Sequence, residues 1–197
     1  MHCVQACLQM LLYSFEKPVL SLQELDEITH HEAGTYTWMS DALLWLEKQG
    51  FEVENYENLD YRIFAAKGKE YLRQIWGAKT FELQDAFSNL DREQAMASKL
   101  LESGIRTVNA RMSLEEIKQK MDQGFFVMLS VNPHALKGDR GYGSHMVVVQ
   151  SIAKTRTILL DPDATEPSEV SNEELKNAIS EENKQDFNAI FVRVTSI

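Results

Sequence analysis

Cys3, His145 and Asp161 lie far apart in the chain, yet they are the residue types from which a thiol nucleophile, its base and the base's support are made. A cysteine nucleophile needs a base within hydrogen-bond reach. That base works better when a third group fixes its tautomer and stabilises the imidazolium. Cys3 opens an apolar run at helical spacing, with Ala6, Cys7 and Met10 at i+3, i+4 and i+7, which predicts a helix beginning at or just after Cys3. A thiol there sits beside unsatisfied N–H groups and the positive end of the macrodipole, and both favour the thiolate. The plain alternative makes Cys3 and Cys7 two small buried hydrophobes, His145 a structural histidine and Asp161 a turn aspartate before Pro162. Compatible placement of all three favours the chemistry.

That placement depends on the elements around them. Residues 145–150 and 157–160 predict a hairpin turning near Lys154 and ended by Asp161 and Pro162. A turn centred near residue 153 sets His145 opposite Asp161 within about two residues of register, where cross-strand side chains meet. Upstream, Ser21 with Glu24 is a capping box for a second helix through about Thr29. Thr37 is expected to cap a third helix with Met39, Ala42, Leu43 and Leu46 on one face and Gly50 at its end. Residues 51–56 read as a short strand. Residues 61–101 are helix-rich, with Gly77 as the break, and are expected to form an inserted layer of a single domain.

Further along, 105–110 is a short strand, and Ser113 with Glu116 opens a helix running to Gly124. The apolar run 125–131 has the length of a strand buried on both faces. Asn132 and Pro133 end it, and a loop with Gly138, Gly141 and Gly143 leads to His145. Ser171 with Glu174 begins a helix to about Ile179, and 187–194 is a last strand, expected beside the hairpin. The sum is an α+β fold: an N-terminal helical part packed on a mostly antiparallel sheet, with a cleft between.

Composition excludes several functions. Of the 197 residues, 44% are hydrophobic and 25% charged, and the net charge of -10 argues against a nucleic-acid surface or docking on anionic lipid. No apolar stretch is long enough to cross a bilayer, and no signal peptide is evident, so the expected compartment is the cytoplasm, with a secreted effector lacking a recognisable signal as the alternative. Two cysteines a helical turn apart point to thiol chemistry or packing, and not to a disulfide scaffold. A zinc site from Cys3, Cys7 and His145 would lack a fourth ligand and the Cys-x-x-Cys spacing, so no metal or cofactor is expected. His30 and His31 read as loop residues. The glycines at 138, 141 and 143 do not lie between a strand and a helix as a dinucleotide site requires, and Trp38, Trp45 and Trp76 read as packing residues.

The run Cys3, Val4, Gln5, Ala6, Cys7, Leu8, Gln9, Met10 resembles the start of the C39 family of papain-like peptidases, in which Asp-Cys-Gly precedes Ala-Cys-Leu and a methionine. Gly34 and Thr35 before the helix ending at Gly50, the helix before strand 125–131, the Gly-Ser-His-Met-Val-Val-Val run at 143–149, and Leu160, Asp161, Pro162 are similar to that family's landmarks. The resemblance spans nearly the whole chain, with 61–101 as an insertion. It implies a papain-like fold, with Cys3 as nucleophile, His145 as base, Asp161 as orienting acid, and Cys7 in the core of the helix. It further implies hydrolysis of an amide bond in a peptide or protein; the same apparatus can transfer the acyl group to an amine or deamidate glutamine. Two positions depart from the pattern. His2 and Val4 stand where the family has Asp and Gly, and the family's oxyanion glutamine several residues before the cysteine has no counterpart in Met1 and His2. Gln5 would lie about 200° around the helix from Cys3. Asn132 is therefore the candidate second oxyanion donor. A protein of the same fold with an inactive site, serving as a binding or regulatory module, is the competing expectation, and the oligomeric state is left open.

Overall fold

A computed structural model describes residues 2–141, 143–180 and 187–195. The chain begins with α1 (Cys3–Ser14), α2 (Leu22–Thr29), α3 (Ser40–Lys48) and the strand β1 (Phe51–Glu57). Next come α4 (Tyr61–Lys67), α5 (Lys69–Phe87), α6 (Leu90–Glu102), β2 (Arg106–Asn109) and α7 (Leu114–Asp122). The remainder is β3 (Phe126–Val131), a short α8 (Pro133–Leu136), β4 (His145–Ile152), β5 (Arg156–Leu160), β6 (Ser168–Ser171), α9 (Asn172–Ala178) and β7 (Asn188–Val194).

The strands form a seven-stranded sheet in the order β2-β1-β7-β3-β4-β5-β6. β1 and β2 pair in parallel and the other neighbours are antiparallel, so the fold is α+β with a mostly antiparallel sheet. Alternation along the strands feeds two cores. Met128, Met146, Val148, Ile190 and Val192 face the layer built from α1 to α6, while Val127, Leu129, Val147, Val149 and Phe191 face α7, α8 and α9. Burial on both faces explains why β3, β4 and β7 are almost continuously apolar, whereas a half-exposed strand would alternate.

Local signals placed most helix ends. All three capping boxes form, with Ser21, Ser113 and Ser171 each accepting from the backbone N–H three residues on and the glutamate returning to the cap. Gly77 adopts φ 74° and ψ 167° and kinks α5, a conformation that favours glycine. The apolar side chains of α4, α5 and α6, among them Phe64, Leu72, Phe81 and Leu100, join the same core as Leu8, Leu11 and Leu43.

Several expectations need correction. Thr37 does not cap α3: Met39 holds the N-cap position, and the Thr37 hydroxyl bonds the His31 ring. β7 is not beside the hairpin but lies between β1 and β3, because residues 188–192 are all buried and so suit a central position. The buried residues of α1 are Val4, Cys7, Leu8, Leu11, Leu12 and also Gln5, which donates to the Thr29 hydroxyl, with Cys3, Ala6 and Met10 half-buried; 3–12 is apolar nearly all round, so spacing alone could not choose the side. β6 and α8 add to the expected elements, and α7 and α9, both expected as helices, cover the face of the sheet opposite α1 to α6.

Candidate active site

Cys3 is the first residue of α1, whose N-cap residue, His2, makes no side-chain capping bond. The N–H groups of a helix's first turn have no acceptor within the helix. The helix is held against β4 by packing of Cys7, Leu8 and Leu11 on Met146 and Val148, and the buried Cys7 thiol donates to the Met146 carbonyl at 3.4 Å. This fixes the height of α1 along β4, so that Cys3 meets the first residue of the strand, His145.

The hairpin register supplies the third group. Val148 pairs with Leu160 and Val149 with Leu159, with a bulge beyond at Val149/Ser151. Extending that ladder by one residue sets Asp161 beside Val147, two residues from His145. His145 Nε2 and Asp161 Oδ1 are 2.7 Å apart. Oδ1 also accepts from the Asp163 backbone N–H at 2.9 Å, in the turn after Pro162 that holds the carboxylate in place. With Nε2 bound to the aspartate, Nδ1 is the ring nitrogen not engaged by Asp161.

Electrostatics follow from these contacts. Burial pushes the Cys3 thiol up, but the hydrogen bond to His145, the Met146 N–H, the positive imidazolium and the Val4 N–H together outweigh it, and the thiol sits below its ordinary value. His145 is raised to about 9, first by its hydrogen bond to Cys3, with burial opposing and Asp161 adding to the rise. For Asp161 burial again opposes, and the hydrogen bonds from His145 and the Asp163 N–H bring the carboxyl below the usual range. Cys7 goes the other way, because burial first and then the nearby Cys3 and Asp161 charges push its thiol well up. The two cysteines of α1 are thus shifted in opposite directions. The Val4 N–H belongs to the unsatisfied first turn expected from the helix start, whereas the Met146 N–H escaped sequence reasoning, since it depends on how α1 seats on β4; the Asp163 turn is legible in Asp-Pro-Asp.

Asn132 is fully buried, with Nδ2 donating to the Gly141 carbonyl and Oδ1 accepting from the His134 N–H, both at 3.0 Å. Both ends of its side chain serve the turn leading to His145. A Cβ on Gly141 would come within 2.8 Å of the His134 ring, so this loop is closely built. An apolar groove of about 770 Å³ runs beside the C-terminal half of α1, lined by Met10, Tyr13, Phe15, Phe126, Val148 and Leu160, and it does not contain Cys3 or His145. Cys3 and His145 therefore lie outside this groove. No helix among the described residues is long and apolar enough to cross a membrane. No family model matches the chain, and no curated protein or solved structure is similar to it at a significant level.

Proposed function

We propose that the chain is a thiol hydrolase with a papain-like fold, acting on an amide bond of a peptide or protein through Cys3, His145 and Asp161. The observation that carries this reading is the His145–Asp161 hydrogen bond of 2.7 Å, on a histidine that also lowers the thiol at the start of α1. In the first half-reaction the Cys3 thiolate attacks the carbonyl carbon while the Cys3 backbone N–H holds the oxyanion. His145, protonated on Nδ1, gives that proton to the leaving amine as the C–N bond breaks and a thioester remains. In the second, His145 takes a proton from water, the hydroxide adds to the thioester, and the acid departs as the C–S bond breaks, which restores the Cys3 thiolate beside the protonated His145. Asp161 keeps the imidazole in the tautomer and orientation both steps need.

The test is the pH dependence of iodoacetamide labelling, in the presence of a chelator and with the modified cysteine located by mass spectrometry, on the parent and on His145→Ala. An ordinary thiol is about 0.3% thiolate at pH 6. Labelling of Cys3 at that pH should exceed this level in the parent and fall by about tenfold or more in His145→Ala. If Cys3 behaves as an ordinary thiol in both proteins, or Cys7 is the cysteine that reacts, the hydrolase reading is wrong and the protein is a binding module.

A further inference from the structure

We propose that His2, Asp26 and His31 form a binding site for a divalent transition-metal ion of the zinc class. Their ligand atoms all lie within 4.8 Å of one another. His2 Nε2 is already 3.0 Å from Asp26 Oδ2, and the two imidazole rings meet edge to face with centroids 5.2 Å apart. The other carboxylate oxygen, Asp26 Oδ1, is buried and has no hydrogen-bond partner. A buried acceptor left unmet is costly, and a cation held by the same carboxylate would satisfy it.

The surroundings suit ligation. The Thr37 hydroxyl bonds His31 Nδ1 at 2.8 Å, the outer contact that fixes the tautomer of a ligating imidazole and leaves Nε2 for a metal. His30, which ends α2, takes a left-handed conformation at φ 49°, uncommon for a residue with a side chain. The His31 N–H then bonds back to the Asp26 carbonyl at 2.9 Å, so the chain folds over the carboxylate. Ligands in a tetrahedral site with bonds of about 2.0–2.1 Å lie roughly 3.4 Å apart, so a modest inward shift of the half-exposed His2 ring closes the set. Two imidazoles and one carboxylate favour a borderline ion over magnesium or calcium, which prefer all-oxygen sites. The site is separate from Cys3, His145 and Asp161 and does not depend on their chemistry, although its ligand His2 immediately precedes Cys3 and would be tied to α2 by the ion.

Calorimetric titration of the chelator-stripped full chain with Zn2+, and visible spectroscopy with Co2+, test this on the parent, Cys3→Ser, Asp26→Asn and His31→Gln. The parent and Cys3→Ser should bind both ions stoichiometrically, and the cobalt complex should lack the charge-transfer band of a thiolate ligand. Asp26→Asn and His31→Gln should each weaken binding by about tenfold or more, with far-UV circular dichroism unchanged. Loss of binding in Cys3→Ser would place the ion on the thiol instead. Absence of binding by the parent, or parent-like binding by both Asp26→Asn and His31→Gln, would also overturn the assignment.

Discussion

At the scale of single residues, the Cys3–His145 pair makes stability depend on pH from both sides. His145 is raised to about 9, chiefly by its hydrogen bond to Cys3, so its contribution is complete below the value of a free imidazole, about 6.5, and is lost as pH rises through 9. Cys3 is lowered, so its contribution is complete above the free-thiol value and is lost as pH falls through the depressed one. The sum is a stabilisation that is greatest while thiolate and imidazolium coexist and that declines in acid and above about pH 9. Denaturant unfolding of the parent and of Cys3→Ser over a pH series, with chelator present, should give a difference in stability with a maximum between these limits. A difference that is flat with pH would mean that no ion pair forms. Half of this geometry was legible in the chain: the hairpin places Asp161 near His145 by counting residues. The approach of Cys3 to His145 was not, because it depends on how α1 seats on β4, which no spacing between residues 3 and 145 encodes.

At the scale of elements, helix ends are set by contacts a few residues long, and these can be tested one at a time. Ser113 caps α7 by accepting from the Glu116 N–H, while Glu116 Oε2 accepts from the Ser113 N–H at 2.7 Å. The Ser113 hydroxyl also donates to that oxygen at 2.8 Å, and the backbone bond first, then this one, bring the Glu116 carboxyl below its usual range. Ser113→Ala should cost about 1 kcal/mol, read as a lower denaturation midpoint with an unchanged slope. Because the glutamate is lowered, its stabilisation is present above the ordinary carboxylate range and is lost as pH falls, so the Ser113→Ala deficit should shrink in acid. A deficit that persists undiminished at low pH would assign the effect to the hydroxyl alone. The same locality explains what the chain revealed about its fold. The capping boxes at Ser21, Ser113 and Ser171 and the kink at Gly77 each follow from residues within one turn. Thr37 misled because its hydroxyl had a competing partner, His31, that helix periodicity does not include. β7 misled because a strand's own sequence says that it is buried on both faces but not which two strands flank it.

At the scale of the whole molecule, β7 couples the two cores. Ile190 and Val192 enter the core under α1 to α6, and Phe191 enters the core under α7 to α9, where it meets Tyr56 and Phe125 edge to face at 5.6 and 6.2 Å. β7 also bridges β1, which carries the parallel strand β2, to β3 and the hairpin that holds His145. A sheet whose central strand feeds both cores ties each to the other, so the two should unfold together. The tryptophans allow this to be seen, because Trp38, Trp45 and Trp76 all pack on the α1 to α6 side and report that face alone. Phe191→Ala removes a fully buried ring from the opposite face and should cost about 3–5 kcal/mol. Although the substitution touches no tryptophan-bearing element, the tryptophan fluorescence midpoint and the far-UV circular dichroism midpoint in denaturant should move down together and remain coincident. If fluorescence kept the parent midpoint while circular dichroism shifted, the helical face would be folding independently. Cys3, carried on α1, would then be held in a unit separable from the one that carries His145 and Asp161, and loss of the C-terminal face would leave the thiol without its base. Coincident midpoints would instead tie the geometry of the Cys3–His145 pair to the stability of the entire sheet, so that a substitution anywhere in either core lowers the fraction of molecules in which the pair is assembled.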